Sequence, residues 1–304
     1  MTVSSSDSPE PIASLVRRTL GDLSVSERKV GRALLAAYPI AGLETVGQLA
    51  ARARVSGPTV MRFVSRLGYD GFHDFQQALL REVQERLTSS LALMERKPPE
   101  PEETVLSRSL ATFVGELNAT FDALPPAEFQ AVVELLSDKR RAVLGTGGRF
   151  SGILAYYLVA HLKMLRPGCR CVPDSAAPGF DELIDVGRRT TVVVFDYRRY
   201  QSSTIEFARR AAGRGATIVL FTDPWLSPIA ELARHVLIST MGTPSAFESQ
   251  VAATATVEAV IAGVAAQLGD AVRPRLEELE RLRAGTTWEL PAEEGRDHED
   301  HASG

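Results

Sequence analysis

Two arginines that lie four residues apart, Arg62 and Arg66, fall in a short helical pattern that begins near Ser56. Guanidinium groups bind phosphates and the acceptor edge of guanine, so arginines on the exposed face of a helix suit DNA recognition. Residues 23–72 contain seven basic and three acidic residues, which gives a local charge of +4 although the whole chain carries −4. This stretch predicts a small DNA-binding module inside an acidic protein.

Two short helices joined by a tight turn must position these side chains. Thr45 is the predicted cap of a helix over Val46–Ala53, Arg54 lies in the turn, and Ser56 is the predicted cap of the second helix. The apolar residues of the second helix are expected to pack on the first, which leaves its polar residues on the outer face. The side chains predicted to contact DNA from this face are Ser56, Thr59, Arg62 and Arg66. The alternative is a plain helical bundle in which Arg62 pairs with an acidic residue.

A glycine-rich turn with the sequence GTGGRFSG follows a predicted strand that ends at Leu144. Backbone N–H groups of such a turn, together with the start of the next helix, can face an anion such as phosphate. The spacing is not GxGxxG, and no GKS or GKT is present. A simple tight turn is therefore the alternative to an anion-binding loop.

The two parts of the chain have different hydrophobic patterns. Residues 10–92 have apolar residues at helical spacing, which predicts an all-α domain. Beyond Val105, short apolar runs alternate with helical stretches, which predicts an α/β domain with a doubly wound parallel sheet. The predicted strands are Arg141–Leu144, Thr190–Phe195, Thr217–Phe221 and Val236–Ile238, and the predicted helices lie near 150–166, 202–214 and 227–234.

Proline and charge mark the predicted domain boundaries. Three prolines within MERKPPEPEE, residues 94–103, cannot continue a helix. The predicted organisation is a helix-turn-helix domain over 1–92, a linker over 93–104 and an α/β domain over 105–285. Residues 286–304 contain six acidic residues and one arginine with little to bury, so a disordered acidic tail is expected there.

Several other classes of protein are excluded by composition. Cys169 and Cys171 are too few for a disulfide framework or a four-ligand zinc site, so neither a metal nor a cofactor is expected. The start of the chain lacks the pattern of a signal peptide, and the apolar stretch 250–269 predicts a buried helix rather than a membrane span. His161 and His235 lie in apolar contexts that make poor acid–base sites, so no catalytic residue is predicted.

The helical half resembles the N-terminal domain of the RpiR/MurR family of bacterial transcriptional regulators. The resemblance rests on residues 23–39, LSVSERKVGRALLAAYP, and on residues 45–79, which contain the family's VSxxTVxRFxxxLGYxGF core. It implies a five-helix arrangement in which Ser56, Thr59, Arg62 and Arg66 lie on the recognition helix. Arg54 departs from the family, because a glycine is usual at this turn.

Residues 125–268 resemble the sugar isomerase (SIS) domain that follows in those regulators. The strand order and the segment LFTDPWLSPIAELARHVL, residues 220–237, carry this resemblance. It implies a doubly wound sheet of a kind that usually binds phosphosugars, with Gly147, Gly148 and Ser151 in the first phosphate loop. Arg149 stands where that loop normally has its second glycine, and we count it with the ligand-binding candidates.

The family's serine-rich SxSGxT loop falls on residues 196–201, which read DYRRYQ. The hydroxyl groups that normally hold phosphate are replaced there by Asp196, Arg198 and Arg199, whose guanidinium groups suit a phosphate or a carboxylate. Ser245 and Ser249 lie in a region that approaches the ligand in this family. The alternative is an Arg–Asp network that locks the loop or a dimer interface.

Together these features predict a cytoplasmic transcriptional regulator that is not an enzyme and has no membrane contact. Its expected partners are a double-stranded DNA operator, a small anionic metabolite (a sugar phosphate or a sugar acid) and further copies of itself in a homodimer or homotetramer. Two alternatives stay open. One is a phosphosugar isomerase or etherase with an added helical domain, and the other is a DNA-binding protein whose SIS domain only oligomerises.

Overall fold

The computed structural model describes residues 11–87, 104–172 and 179–284. Within the first of these ranges the chain is helical, as its hydrophobic spacing predicts. The helices are α1 (Ile12–Thr19), α2 (Val25–Ala36), α3 (Ile40–Leu43), α4 (Val46–Ala53), α5 (Gly57–Arg66) and α6 (Phe72–Leu87).

Helices α4 and α5 form the predicted helix-turn-helix. Thr45 begins α4 with a reciprocal capping box, in which its hydroxyl accepts from the Gln48 N–H and its own N–H donates to the Gln48 side chain. Arg54 ends α4 in the left-handed conformation at φ 54° and ψ 51°, where a glycine would be unstrained. The predicted bounds of α4 and the tight turn at Arg54 are confirmed.

A buried cluster fixes the angle between these helices. Leu49 and Ala50 of α4 pack with Val60, Phe63 and Val64 of α5, and each of these side chains is almost completely buried. Burial of apolar surface on this scale contributes about 1.5–3 kcal/mol for each large side chain. The outer face of α5 is therefore held in a fixed orientation by the packing behind it.

The α/β domain follows with five strands and helices on both faces. Its helices are α7 (Val105–Ala123), α8 (Pro126–Ser137), α9 (Gly152–Leu165), α10 (Ser202–Gly213), α11 (Val251–Leu268) and α12 (Arg273–Arg283). Its strands are β1 (Ala142–Gly147), β2 (Cys169–Cys171), β3 (Thr190–Phe195), β4 (Thr217–Thr222) and β5 (His235–Ile238).

The sheet is parallel, with the order β2-β1-β3-β4-β5. Helices α8, α9 and α11 contribute to the buried cluster on one face, and α10 contributes to the cluster on the other. Every residue of β3 is buried, which explains its continuous apolar run. The predicted fold class, an all-α helix-turn-helix domain followed by a doubly wound SIS-like α/β domain, is confirmed.

Two elements differ from the sequence prediction. The sequence does not predict β2 as a strand of the sheet, because β2 is a three-residue edge strand beside β1 and has no run of β-branched residues. The helix expected near 227–234 is one turn of 3-10 helix, Pro228–Glu231, which Ser227 begins and which lacks the length for an α-helix.

Helix α11 occupies most of the apolar stretch 250–269. Together with the helical residues after it, it forms a stretch, Val251–Arg283, that is long and apolar enough to cross a membrane by length and composition alone. Six residues of α11 are buried, and Val257, Val260 and Val264 lie in the core cluster beneath the sheet. Packing in this domain thus buries one side of α11, six of its eighteen residues, and the prediction of a buried helix stays a prediction.

The predicted domain boundaries stay predictions. The linker at 93–104 lies outside the described residues except for Thr104, which begins α7, and the acidic tail at 286–304 lies outside them entirely.

Ala13 of α1 lies in the same buried cluster as Phe207 and Ile229 of the α/β domain, and Tyr38 packs against that cluster. The two parts of the chain therefore share a contact through α1.

Candidate functional site

The outer face of α5 presents two arginines to solvent. Arg62 and Arg66 are exposed, while Thr59 is only 5% exposed, so the prediction that Thr59 lies on the outer face is wrong. Its hydroxyl lies 3.0 Å from Ser56 Oγ and accepts from Arg62 Nη2 at 3.2 Å. These partners satisfy the buried Thr59 hydroxyl, which in turn supports the Arg62 side chain from below.

A carboxylate lies beneath the two arginines. Glu27 is buried in the capping box of α2, where it accepts from the Ser24 N–H, and hydrogen bonds to Ser24 lower the pKa of its carboxyl group. The charges of Arg66 and Arg62 lower this pKa further. A carboxylate with a lowered pKa therefore lies within electrostatic range of both guanidinium groups and lines the same surface.

Other contacts of this surface were not foreseen from sequence. Ser56 begins α5 without a capping hydrogen bond from its side chain, because its hydroxyl contacts Thr59 instead. Arg66 reaches the carbonyl oxygen of Asp22 at 3.5 Å. Met61 and Ser65 are also exposed on this face, and the rotation of about 100° per residue in a helix could have predicted this position from the sequence.

The glycine-rich turn lies at the carboxyl end of β1. A side chain at Gly147 would meet the Gly152 nitrogen at 2.9 Å, so only glycine fits this close approach. The Gly148 N–H donates to Ser151 Oγ at 3.0 Å and to the Phe195 carbonyl at 3.1 Å, and Ser151 Oγ donates to the same carbonyl at 2.7 Å. The turn is therefore tied to the end of β3 by its own hydrogen bonds.

Gln201 joins the glycine-rich turn to the loop after β3. Its Oε1 accepts from the Arg149 N–H at 3.0 Å, and it lies at the start of α10. By the resemblance to SIS domains, Gln201 falls on the last position of their serine-rich loop. That alignment could have predicted Gln201 as a residue of this site. Arg149 itself is exposed and lies over the Phe150 ring at 5.2 Å.

Asp196 is buried at the carboxyl end of β3, with 1% of its surface exposed. Its carboxylate accepts from the Ser227 hydroxyl, and its carbonyl accepts from Thr222 Oγ1 at 2.7 Å. Burial raises the pKa of Asp196 to about 6, although the hydrogen bond from Ser227 opposes this shift. A buried carboxyl group that titrates near neutral pH is typical of a functional site.

Replacing this carboxylate should stabilise the protein. The pKa of Asp196 is about 6 in the folded chain and about 4 in the unfolded chain, so the folded state binds the proton more tightly. The contribution of Asp196 to the free energy of unfolding therefore increases as pH falls from about 6 to about 4. At pH 7.5 the ionised group is costly to bury, and Asp196→Asn should raise the free energy of unfolding by up to about 2 kcal/mol. Urea unfolding at pH 7.5 and pH 4.5 measures this, and the advantage should disappear at the lower pH.

The matched control for this prediction is Asp185→Asn, at an aspartate whose side chain is 78% exposed. It should change stability by less than about 0.5 kcal/mol at both pH values. A loss of stability in Asp196→Asn at pH 7.5 would show that the hydrogen bonds to the carboxylate outweigh its burial.

Arg198 is held between an acidic residue and an aromatic ring. Its Nε lies 3.0 Å from Glu248 Oε1, and its guanidinium group lies 5.1 Å from the centre of the Trp225 ring. The two charged side chains are 10% and 21% exposed. Partial burial increases the Coulombic attraction within this pair over that of a surface pair, and it also adds a desolvation cost. Sequence reasoning missed both partners, because no local pattern connects residues so far apart in the chain.

Other residues of this edge, among them the predicted Arg199, Ser245 and Ser249, lie around this pair. Arg199 is exposed and has a positive φ of 71°, so its side chain points away from the buried cluster after β3. Asp223 is buried and accepts from Tyr200 at 2.7 Å. Ser245 forms a turn with Phe247, and Ser249 accepts from the Val251 N–H at 3.2 Å at the start of α11, next to Glu248.

The structure thus brings most of the predicted ligand residues to one edge of the sheet. The carboxyl ends of β1, β3 and β4 meet there, which is the edge where open α/β sheets bind ligands. The exposed Arg199 guanidinium group there suits an anion, whereas the Gly148 and Arg149 N–H groups and the Asp196 carboxylate already have partners within the protein. Among the described residues no group of three or more His, Cys, Asp or Glu side chains could hold a metal ion.

Sequence models of two protein families match the chain. The helix-turn-helix domain of the rpiR family matches residues 12–86, and the SIS domain matches residues 134–263. An HTH-type transcriptional regulator of Haemophilus influenzae is 24% identical over 223 residues, which cover 71% of this chain and 75% of that protein. A second HTH-type regulator, from Providencia stuartii, is 27% identical over 48% of this chain and 49% of its own length.

Solved structures share the fold. The sugar isomerase domain of an RpiR transcription factor from Sphaerobacter thermophilus aligns with a TM-score of 0.54 and 23% identity, over 59% of this chain and 99% of its own. The NanR protein of Vibrio vulnificus, solved in complex with ManNAc-6P, aligns with a TM-score of 0.53 and 18% identity, over 92% of this chain and all of its own. The second of these alignments spans both domains of the fold.

Proposed function

The chain belongs to the RpiR family of transcriptional regulators, and from this premise we propose that it reads a DNA operator and senses a small anionic metabolite. The metabolite class is a sugar phosphate or a sugar acid. The observation that carries the proposal is the arrangement of arginines, exposed on α5 in one domain and at the carboxyl edge of the sheet in the other. Both sites suit anions, one polymeric and one small.

The DNA-reading surface would consist of α5 and the residues that support it. Exposed Arg62 and Arg66 have the length and charge to reach guanine edges or phosphates, and Ser56 lies at the helix start where recognition helices contact bases. Thr59, being buried, would act by orienting Arg62 through its hydrogen bond rather than by touching DNA. The local positive charge would attract a duplex at physiological salt.

The effector site would lie at the carboxyl edge of the sheet. NanR was solved with a sugar phosphate, which supports an anionic ligand for a related domain. In this chain the candidate residues are Gly147, Gly148, Arg149, Ser151, Asp196, Arg198, Arg199, Ser245 and Ser249. Because Glu248 already pairs with Arg198, an anionic effector would compete with this carboxylate for the guanidinium group.

The effector would act on DNA binding through the contact between the domains. Ser227, which bonds Asp196, begins the 3-10 helix that carries Ile229, and Ile229 shares a buried cluster with Ala13 of α1. A change at the sheet edge would reach the helical domain by this route, with a coupling of about 1–3 kcal/mol. A cytoplasmic homodimer or homotetramer would present paired readers to half-sites about one helical turn apart, or a multiple of it.

The test uses the full-length protein and promoter fragments from beside its own gene. We expect a gel-shift titration at low salt to show binding, and one phosphorylated sugar or sugar acid to raise the melting temperature and change DNA affinity by roughly 5- to 150-fold. If no fragment binds, with or without cell extract, the regulatory proposal is wrong. Turnover of a sugar phosphate would instead favour an isomerase or etherase.

A further inference from the structure

One side chain on the outer face of α5 is apolar and lies beside the arginines. Met61 is 39% exposed, whereas Val60, Phe63 and Val64 around it are fully buried. A shallow cleft of about 420 Å³ on this surface is lined by Glu27, Met61, Arg62, Ser65 and Arg66. Met61 therefore belongs to the same continuous surface as the two arginines.

The helical step sets where each exposed residue lies on this face. At about 100° per residue, Pro58 and Ser65 lie near its centre, with Arg62 and Arg66 on one side and Met61 on the other. The surface thus has a cationic side and an apolar side. The hydrogen bond from Arg62 to Thr59 holds the Arg62 side chain on the cationic side, away from Met61.

The major groove offers one apolar group to a side chain at such a position. Guanine, cytosine and adenine present hydrogen-bonding atoms there, and thymine adds a C5 methyl group. A methionine has no hydrogen-bond donor and packs flexibly against apolar groups. Met61 lies in the second turn of α5, within the amino-terminal half from which recognition helices contact base edges.

We propose that Met61 is a specificity-determining residue that contacts the C5 methyl group of a thymine in the operator. The inference rests on the proposed DNA-reading function and adds the kind of base pair that α5 selects. Arg62 and Arg66 supply attraction and acceptor recognition on one side of the helix. Met61 then discriminates a thymine from the other bases on the other side.

The experiment replaces thymine by uracil, which differs only in lacking the methyl group. A duplex is first selected from a random library with the full-length protein, and each thymine is then replaced in turn. For the natural protein, at least one replacement per half-site should weaken binding by about fourfold, the effect of losing one buried methyl contact. For Met61→Ala the same replacement should have no effect.

Two comparisons distinguish this role from a structural one. Met61→Ala should bind the thymine duplex about as weakly as the natural protein binds the uracil duplex, whereas Met61→Leu should keep the methyl preference. Circular dichroism should show unchanged helix content, because alanine is a strong helix former. If no uracil replacement affects the natural protein, or if Met61→Ala stays equally sensitive, Met61 does not read a methyl group. If no duplex can be selected, the DNA-reading function itself is wrong, and this assignment with it.

Discussion

Arg62→Ala should weaken binding to the selected operator by roughly 5- to 150-fold and leave the fold intact, because the lost contacts are worth about 1–3 kcal/mol. Arg62 is exposed, and its removal leaves the Thr59 hydroxyl in contact with Ser56, so no buried polar group loses its only partner. A gel-shift titration at fixed salt measures the effect. Unchanged affinity would remove Arg62 from the DNA-reading surface.

The salt dependence shows which atoms Arg62 contacts. If it binds a phosphate, affinity for all sequences should fall together, and the slope of log affinity against log salt should shrink by about 1. If it binds a guanine edge, the loss should be concentrated on the selected sequence. Arg209→Ala is the matched control, since Arg209 is an exposed arginine on α10 that pairs with Glu206, and it should leave DNA affinity unchanged.

The helix-turn-helix could be predicted in detail because its signals are local. Thr45 and Gln48 form a capping box within four residues, and the apolar spacing of α5 defines its buried side. The prediction that Thr59 lies on the outer face is wrong, because a polar residue at the edge of an apolar stripe is compatible with either side. In the structure Thr59 lies on the buried side, where its hydroxyl contacts Ser56 and accepts from Arg62. These contacts depend on side-chain positions that the sequence does not give.

The sequence predicts which residues lie at the carboxyl edge of the sheet, but not which side chains contact each other there. Buried runs such as Thr190–Phe195 fix where each strand ends, so Gly147 and Asp196 could be expected at one edge. The pairing of Arg198 with Glu248 joins residues fifty positions apart in the chain and depends on how the segment before α11 crosses that edge. No periodicity or charge pattern in the sequence encodes such a crossing.

The second large effect is expected at this edge. Replacing Arg198 and Arg199 together with methionine should abolish the response to the sugar phosphate or sugar acid that raises the melting temperature of the natural protein, while operator binding without metabolite is retained. Methionine keeps much of the length of the side chain and removes the charge that holds an anion. The response is measured as the shift in melting temperature and as the change in DNA affinity on adding the metabolite. A double variant that still responds normally would move the effector site elsewhere.

Glu248→Gln separates ligand binding from the ion pair. Both this variant and the double variant remove the ion pair between Arg198 and Glu248, but only Glu248→Gln leaves the guanidinium groups in place, with a neutral oxygen that can still accept from Arg198. If the arginines bind the effector, Glu248→Gln should respond at lower metabolite concentration, because a competing carboxylate has been removed. If the pair is purely structural, both variants should lose stability and response together, and the Arg198–Glu248 ion pair then locks this loop instead of binding an effector.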